Sequence, residues 1–166
     1  KTDLSNFDDV KESLSGYTFD FVVNLNGYVS HLPFFGGGFD VLHNHFSSLQ
    51  NLLRCIDRNE LKHFVHIGSS DEYGLASAPQ TEAMICTPMT SYAFAKFAST
   101  ELLMMLNKTE AFPCTVIRPF LVYGSGQKLD RFLPQLINAC INDETFVVSS
   151  GGSVRDFCHV TDFVRG

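Results

Sequence analysis

No cluster of lysine and arginine appears anywhere in the chain, and 12 basic against 18 acidic side chains leave its 166 residues with a formal charge of −6. That balance excludes the electrostatic footprint of a nucleic-acid binder, and equally that of a protein held on an anionic membrane surface. No apolar run approaches the length of a membrane span, and the opening Lys-Thr-Asp-Leu-Ser-Asn contains neither an apolar signal segment nor a cleavage site. The expectation is a soluble, cytoplasmic protein. Cys-x-x-Cys pairs are absent as well. Cys55, Cys86, Cys114, Cys140 and Cys158 are widely spaced and odd in number, which fits reduced thiols better than a disulfide framework. Six histidines provide no zinc-like spacing, because His43 and His45 stand two apart and point to different faces of a helix. No metal is expected.

What is present is apolar material, 45% of the residues, enough for one substantial core and too little chain for two. Asn6 is placed to cap a short helix with Val10 and Leu14 inward, stopped by Ser15-Gly16. Residues 19–25 form a continuous apolar run with β-branched members, the pattern of a strand buried on both faces. After Gly36-Gly37-Gly38 the apolar residues Val41, Phe46, Leu49, Leu52, Leu53 and Ile56 recur at helical spacing over 40–58. Strand signals follow at 63–67, 114–117 and 145–148, and helical ones at 91–106 and 130–141, with turn residues filling most of 68–90. Strands alternating with helices across generous crossovers predict an α/β fold with a doubly wound parallel sheet. In such sheets ligands bind beyond the carboxyl ends of the strands, which draws attention to 24–27, 69–72 and 118–124.

Tyr92 and Lys96 lie four apart on the helix at 91–106, so they share a face, and an ammonium near a phenol favours its ionised form. Without such help a phenol with a pKa near 10 is a poor base. Ser69 follows the strand at 63–67 and would present its hydroxyl at the sheet's carboxyl edge. Taken singly, these are also the marks of a solvated helix face and an ordinary turn. Their order along strand and helix is what suggests an acid/base centre.

Five blocks then occur in sequence: Asp3-Leu4, Val22-Val-Asn-Leu-Asn-Gly-Tyr28, His66-Ile-Gly-Ser-Ser-Asp-Glu-Tyr-Gly74, Pro88-Met-Thr-Ser-Tyr-Ala-Phe-Ala-Lys96, and Ile117-Arg-Pro-Phe-Leu-Val-Tyr-Gly-Ser-Gly-Gln127. With Arg155-Asp-Phe-Cys-His-Val-Thr-Asp162 as a sixth, the chain resembles the extended short-chain dehydrogenase/reductase family of nucleotide-sugar epimerases, dehydratases and 4-keto reductases. The resemblance implies a Rossmann-like fold, NAD or NADP as cofactor, and a nucleotide sugar as substrate. It assigns Tyr92 as general acid/base, Lys96 as the group that lowers its pKa and holds the nicotinamide ribose, and Ser69 as hydrogen-bonding partner of the sugar oxygen. Asp3, Leu4, Asn24, Leu25, Asn26, Gly27 and Arg118 would join Tyr92 and Lys96 along the cofactor. Ser70, Arg131 and Arg155 would face the substrate, and Asp71 would act in catalysis.

Several departures from the family pattern matter. The phosphate-cradling Gly-x-x-Gly-x-x-Gly turn is absent, since neither Gly36-Gly37-Gly38 nor Gly124-Ser125-Gly126 has its spacing or place. The expectation is therefore a partial dinucleotide-binding domain over 1–166, lacking the first strand-helix units and most of the substrate lobe. Its substrate-binding segment would begin at about 125, and alone it would be inactive. His45 stands where the family has a helix asparagine, and Leu121 where another asparagine is common. Around Ser69 the form Gly-Ser-Ser-Asp-Glu-Tyr-Gly is closest to 4-keto reductases of GDP-sugars, while Ser70, Asp71 and Glu72 leave a 4,6-dehydratase open. A non-catalytic dinucleotide-sensing relative would be expected to have lost Tyr92 or Lys96. The full-length form is expected to be a homodimer through the helix beginning near Asp40 and the Tyr92 helix, with Phe97, Leu103 and Met104 as candidate contacts.

Overall fold

The computed structural model describes residues 2–148, 150–152 and 154–166. They form two compact units, Lys1–Pro119 and Phe120–Gly166. In the first, α1 (Phe7–Leu14) begins where Asn6 Oδ1 accepts from the Asp8 and Asp9 amides at 2.9 and 3.4 Å. It ends at Leu14, as the Ser15-Gly16 signal predicts. Strand β1 (Phe21–Asn24) leads into a loop and a 3₁₀ turn (Phe34–Gly36), and then into α2 (Gly38–Cys55). β2 (His63–Ile67) is followed by a second 3₁₀ turn (Ser70–Tyr73). The long α3 (Ser91–Glu110) and β3 (Cys114–Ile117) complete the unit. The strands pair in parallel in the order β1-β2-β3, with Val23 opposite Val65 and Val65 opposite Thr115.

The core lies between this sheet and helices α2 and α3. Leu49 from α2 and Leu103 from α3 meet Phe64 of β2, all at most 1% exposed, with Val22, Cys114 and Val116 packed beside them. Truncating Phe64 to alanine there would cost about 3–5 kcal/mol. The opposite face departs from expectation. Phe21 and Val23, which alternate with the core-facing Val22, are 67% and 59% exposed, and Leu25 just beyond is 72% exposed. An unbroken apolar run shows that both faces of β1 are apolar, but α2 and α3 cover one face and no described element covers the other.

The second unit holds β4 (Leu121–Tyr123), α4 (Phe132–Asn142), β5 (Phe157–His159) and α5 (Val160–Arg165). β4 and β5 pair in parallel, Leu121 opposite Phe157. This sheet was not legible in the sequence, because three-residue strands carry no period and their partners are distant in the chain. The strand predicted at 145–148 does not form; those residues are irregular. Helix α2 starts two residues earlier than predicted and stops at Cys55, where Ile56 turns extended while staying in the core. None of the five cysteines is paired, and among the described residues no helix is long and apolar enough to cross a membrane.

Candidate active site

Thr90 caps α3 by accepting from the Ala93 amide at 3.0 Å, which sets the first turn and brings Tyr92 and Lys96 inward. Both are buried, at 6% and 5% exposure. Lys96 Nζ donates to the Ile67 carbonyl at 2.8 Å and the Asn26 carbonyl at 3.2 Å, so the ammonium ties α3 to the carboxyl ends of β2 and β1. A third donor remains. Burial lowers its pKa to about 8, and the Glu72 charge opposes the shift. The Tyr92 ring stands between two imidazoles, each nearly perpendicular to it: His45 at 5.4 Å and His31 at 6.0 Å between ring centroids.

His45 belongs to the closed side. Its Nε2 lies 3.0 Å from the Tyr28 carbonyl oxygen and 3.3 Å from the Tyr28 amide nitrogen, so it bonds the Tyr28 backbone in either tautomer. Burial, and then the Lys96 charge, lower its pKa to about 4. Behind it, His66 Nδ1 accepts from Asn24 Nδ2 at 3.0 Å, an amide whose orientation is set by Asn24 Oδ1 accepting from the Asn26 amide. His66 Nε2 is buried with no hydrogen-bond partner among the described residues. Burial, Lys96 and His45 together lower the His66 pKa to about 3. Both imidazoles are therefore neutral beside a cation. Gly27 lets His45 and Lys96 close in: with φ of 140°, a Cβ there would stand 2.8 Å from His45 Cε1 and 3.2 Å from Lys96 Nζ.

Glu72 lies wholly inside at 0% exposure. Its Oε1 accepts from the Ser69 amide at 2.9 Å, and its Oε2 accepts from Thr100 Oγ1 at 2.9 Å and Arg118 Nε at 2.7 Å. Arg118 thus has a structural partner and also lies over the Tyr73 ring at 5.0 Å. Ser69 itself caps the short turn, its Oγ accepting from the Asp71 amide at 3.2 Å, which leaves the hydroxyl proton to donate. Asp71 turns outward, and its Oδ2 is 3.1 Å from His31 Nε2.

A cavity of about 540 Å³ opens beside His45 and is lined by Asp3, Leu4, Asn26, Gly27 and Tyr28 among others. Asp3 accepts from the Ser5 hydroxyl and amide at 2.8 and 2.9 Å, and these bonds hold its carboxyl below the usual range. Asn24 lies buried beneath, whereas Leu25 is exposed. Ser70 is half-buried, its amide donating to the Pro119 carbonyl at 3.0 Å. Arg131 and Arg155 belong to the second unit. Arg131 precedes α4 with Asp130 at 3.9 Å, and Arg155 Nη1 donates to the Val154 carbonyl at 2.9 Å. Of the candidate dimer contacts, Leu103 is a core residue at 0% exposure, because it faces Phe64 rather than solvent; Phe97 and Met104 are half-buried. Exposed instead are Phe39 and Phe94, on a groove of about 400 Å³ shared with Leu42 and Phe46 of α2.

His31, His66 and the interior role of Glu72 were missed from sequence. A lone loop histidine and the last-but-one residue of a strand give no signal without knowledge of what lies opposite. Ser69 three residues before Glu72 does match a capping box, and that spacing could have exposed Glu72 as structural.

Residues 1–166 match the NAD dependent epimerase/dehydratase family, and the chain belongs to that family. It is 26% identical to an uncharacterized UDP-glucose epimerase of Bacillus subtilis over 96% of this chain and 54% of that protein. Among solved structures it resembles the UDP-glucuronic acid 4-epimerase of Bacillus cereus, determined with UDP-glucuronic acid and NAD. The two are 26% identical with a TM-score of 0.79 over 95% of this chain and 50% of that one. It also resembles RMD of Pseudomonas aeruginosa complexed with NADPH, at 26% identity and a TM-score of 0.85, covering 99% and 60% of the two chains. The fold is accordingly a parallel α/β, Rossmann-like one. The chain spans about half the length of the Bacillus subtilis relative and of the Bacillus cereus epimerase.

Proposed function

We propose that this chain carries the acid/base centre of an NAD(P)-dependent nucleotide-sugar oxidoreductase or epimerase, with Tyr92, Lys96 and Ser69 as its working groups. The observation that carries the reading is the buried Lys96 ammonium, held by the Ile67 and Asn26 carbonyls at the strand ends beside Tyr92. The residues present fit a dinucleotide. The cavity lined by Asp3, Leu4, Asn26 and Gly27 offers both polar and apolar groups, including the Asp3 carboxylate and the Gly27 backbone. A bound nicotinamide would take hydride from a sugar carbon and give it back.

The chain's own residues do the rest. As a phenolate stabilised by the Lys96 charge, Tyr92 takes the proton from the hydroxyl on that carbon and becomes a neutral phenol; returning the proton regenerates the phenolate. Ser69 donates to the sugar oxygen with the proton its capping role leaves unused. His45 and His66 stay neutral at physiological pH, so neither adds a second cation against Lys96. Ser70, Arg131 and Arg155 are assigned to the nucleotide sugar. Arg118 is kept as a cofactor contact only through its terminal nitrogens, since Nε serves Glu72. Pairing of two copies over the Phe39 and Phe94 groove would give the expected homodimer.

Mixing the full-length form with NAD or NADP and 4-hydroxy nucleotide sugars, and following reduced-nicotinamide absorbance, tests this reading. Hydride transfer that disappears in Tyr92→Phe and Lys96→Met supports it; no transfer with any nucleotide sugar overturns it. A 4,6-dehydratase is the second reading, favoured by the outward Asp71 carboxylate, which is paired with His31, whose ring meets that of Tyr92. Release of a 4-keto-6-deoxy product would select it.

A further inference from the structure

On the open side of Tyr92 stands a pair of side chains that neither the Lys96 contacts nor the packing of the chain accounts for. His31, from the loop after β1, brings Nε2 to 3.1 Å from Oδ2 of Asp71, in the turn after β2. Its ring meets that of Tyr92 edge-on at 6.0 Å. The two side chains are 55% and 44% exposed. Ion pairs that open to water add little to stability, so stability does not explain why two separate loops converge here. Accessibility beside Tyr92 is what a group acting on a ligand requires.

The partners define the chemistry. A carboxylate only accepts, so a neutral His31 beside Asp71 carries its hydrogen on Nε2 and keeps the Nδ1 lone pair as a base. Asp71 is itself held, its amide donating to Ser69 Oγ at 3.2 Å while Glu72 binds the Ser69 amide from below. Ser69, Asp71, His31 and Tyr92 thus gather at one mouth. His45, the other imidazole against Tyr92, is excluded from the same work because it is buried and its Nε2 serves Tyr28.

We infer that His31, oriented by Asp71, is a second acid/base of this site and moves a proton at a carbon adjacent to a sugar carbonyl. The inference rests on the nucleotide-sugar reading above and narrows its substrates to nucleotide sugars that are, or become, ketones with a neighbouring C–H. The hydrogen on that carbon leaves as a proton to His31 Nδ1. The C–H electron pair becomes the carbon–carbon double bond of the enolate, and the carbonyl π pair moves to oxygen, where Tyr92 and Ser69 donate hydrogen bonds. Return of a proton from the imidazolium to the same carbon restores the ketone, and no oxidant or reductant is consumed. Interconversion of hydroxyl and carbonyl at a single carbon needs only the proton of Tyr92, so the second pair marks a reaction with one proton transfer more.

The test is deuterium uptake. A 4-keto-6-deoxy nucleotide sugar is incubated with the protein in D₂O, and incorporation at the carbons flanking the carbonyl is followed by NMR, a readout that needs no hydride transfer. Protein-dependent incorporation is expected, reduced roughly 100-fold by His31→Gln and about tenfold by Asp71→Asn, with Asp71→Glu retaining a larger share than Asp71→Asn. Hydride transfer from a 4-hydroxy nucleotide sugar, measured on folded His31→Gln, should lose at least about tenfold less than exchange does. Exchange that is absent, or indifferent to His31→Gln, overturns the inference, and so does an equal loss of both activities. Exchange that depends on His31 without any hydride transfer supports the pair and counts against the redox reading instead.

Discussion

The two sides of Tyr92 are built from the same residue types and behave in opposite ways. On the closed side His45 is 6% exposed, is bonded to the Tyr28 backbone and has a pKa lowered to about 4. On the open side His31 is half-exposed and faces a carboxylate. The acidic neighbours Asp71 and Glu72 repeat the contrast: one reaches outward to His31, the other is sealed inside between Arg118, Thr100 and the Ser69 amide. Adjacent residues of like chemistry are thus divided into a group that holds the site together and a group free to act, and burial makes the division.

The sharpest way to break the comparison is at the residue both sides share. Tyr92→Phe keeps the ring between the two imidazoles and removes the proton carrier, so turnover should fall about 10³–10⁴-fold with little change in melting temperature; a small loss would mean the chemistry lies elsewhere. Glu72→Ala should be felt next, as a loss of about 3–5 kcal/mol in denaturant unfolding, because it takes the carboxylate from Arg118 and leaves the Thr100 hydroxyl and the Ser69 amide without their acceptor. If it melts no earlier than the parent, the closed side is not the structural half.

Acid should then divide the two sides by titration. The pKa values of His45 and His66 in the folded state, about 4 and about 3, lie below the ordinary 6.5. Between those limits the unfolded chain binds protons that the folded one does not, so stability is complete above about pH 6.5 and is lost as pH falls through the folded values. The loss would be on the order of 3 kcal/mol for each histidine. NMR titration showing either ring protonated at pH 6 would contradict this. Gly27→Ala should cost about 1–3 kcal/mol by forcing a side chain at φ of 140° against His45. The smallest effect belongs to the open side, where His31→Gln should change unfolding free energy by less than about 1 kcal/mol. A larger change would make that pair a structural one.

Much of the frame was legible because it is local. The Asn6 cap, the alternation of strands and helices, and the positions of Tyr92, Lys96 and Ser69 on α3 and after β2 follow from spacing and end signals within a few residues. The paired short strands Leu121–Tyr123 and Phe157–His159 were not, since neither is long enough to show a period and each needs the other. The open face of β1 escaped for a related reason: its apolar side chains announce that a cover would fit without stating whether one is supplied. Leu103 stood as a candidate for either a dimer contact or the core, because helical spacing alone does not say which stripe of α3 meets Phe64.

By itself the sequence determined the element order as far as β3 and the lineage of the Tyr92 and Lys96 helix, because capping, periodicity and i,i+4 spacing are short-range properties of the chain. Only the tertiary structure decided what His31, His45, His66, Asp71 and Glu72 are. The proton affinity and availability of a side chain depend on the water around it and the charge beside it, and both are set by residues far away in the chain.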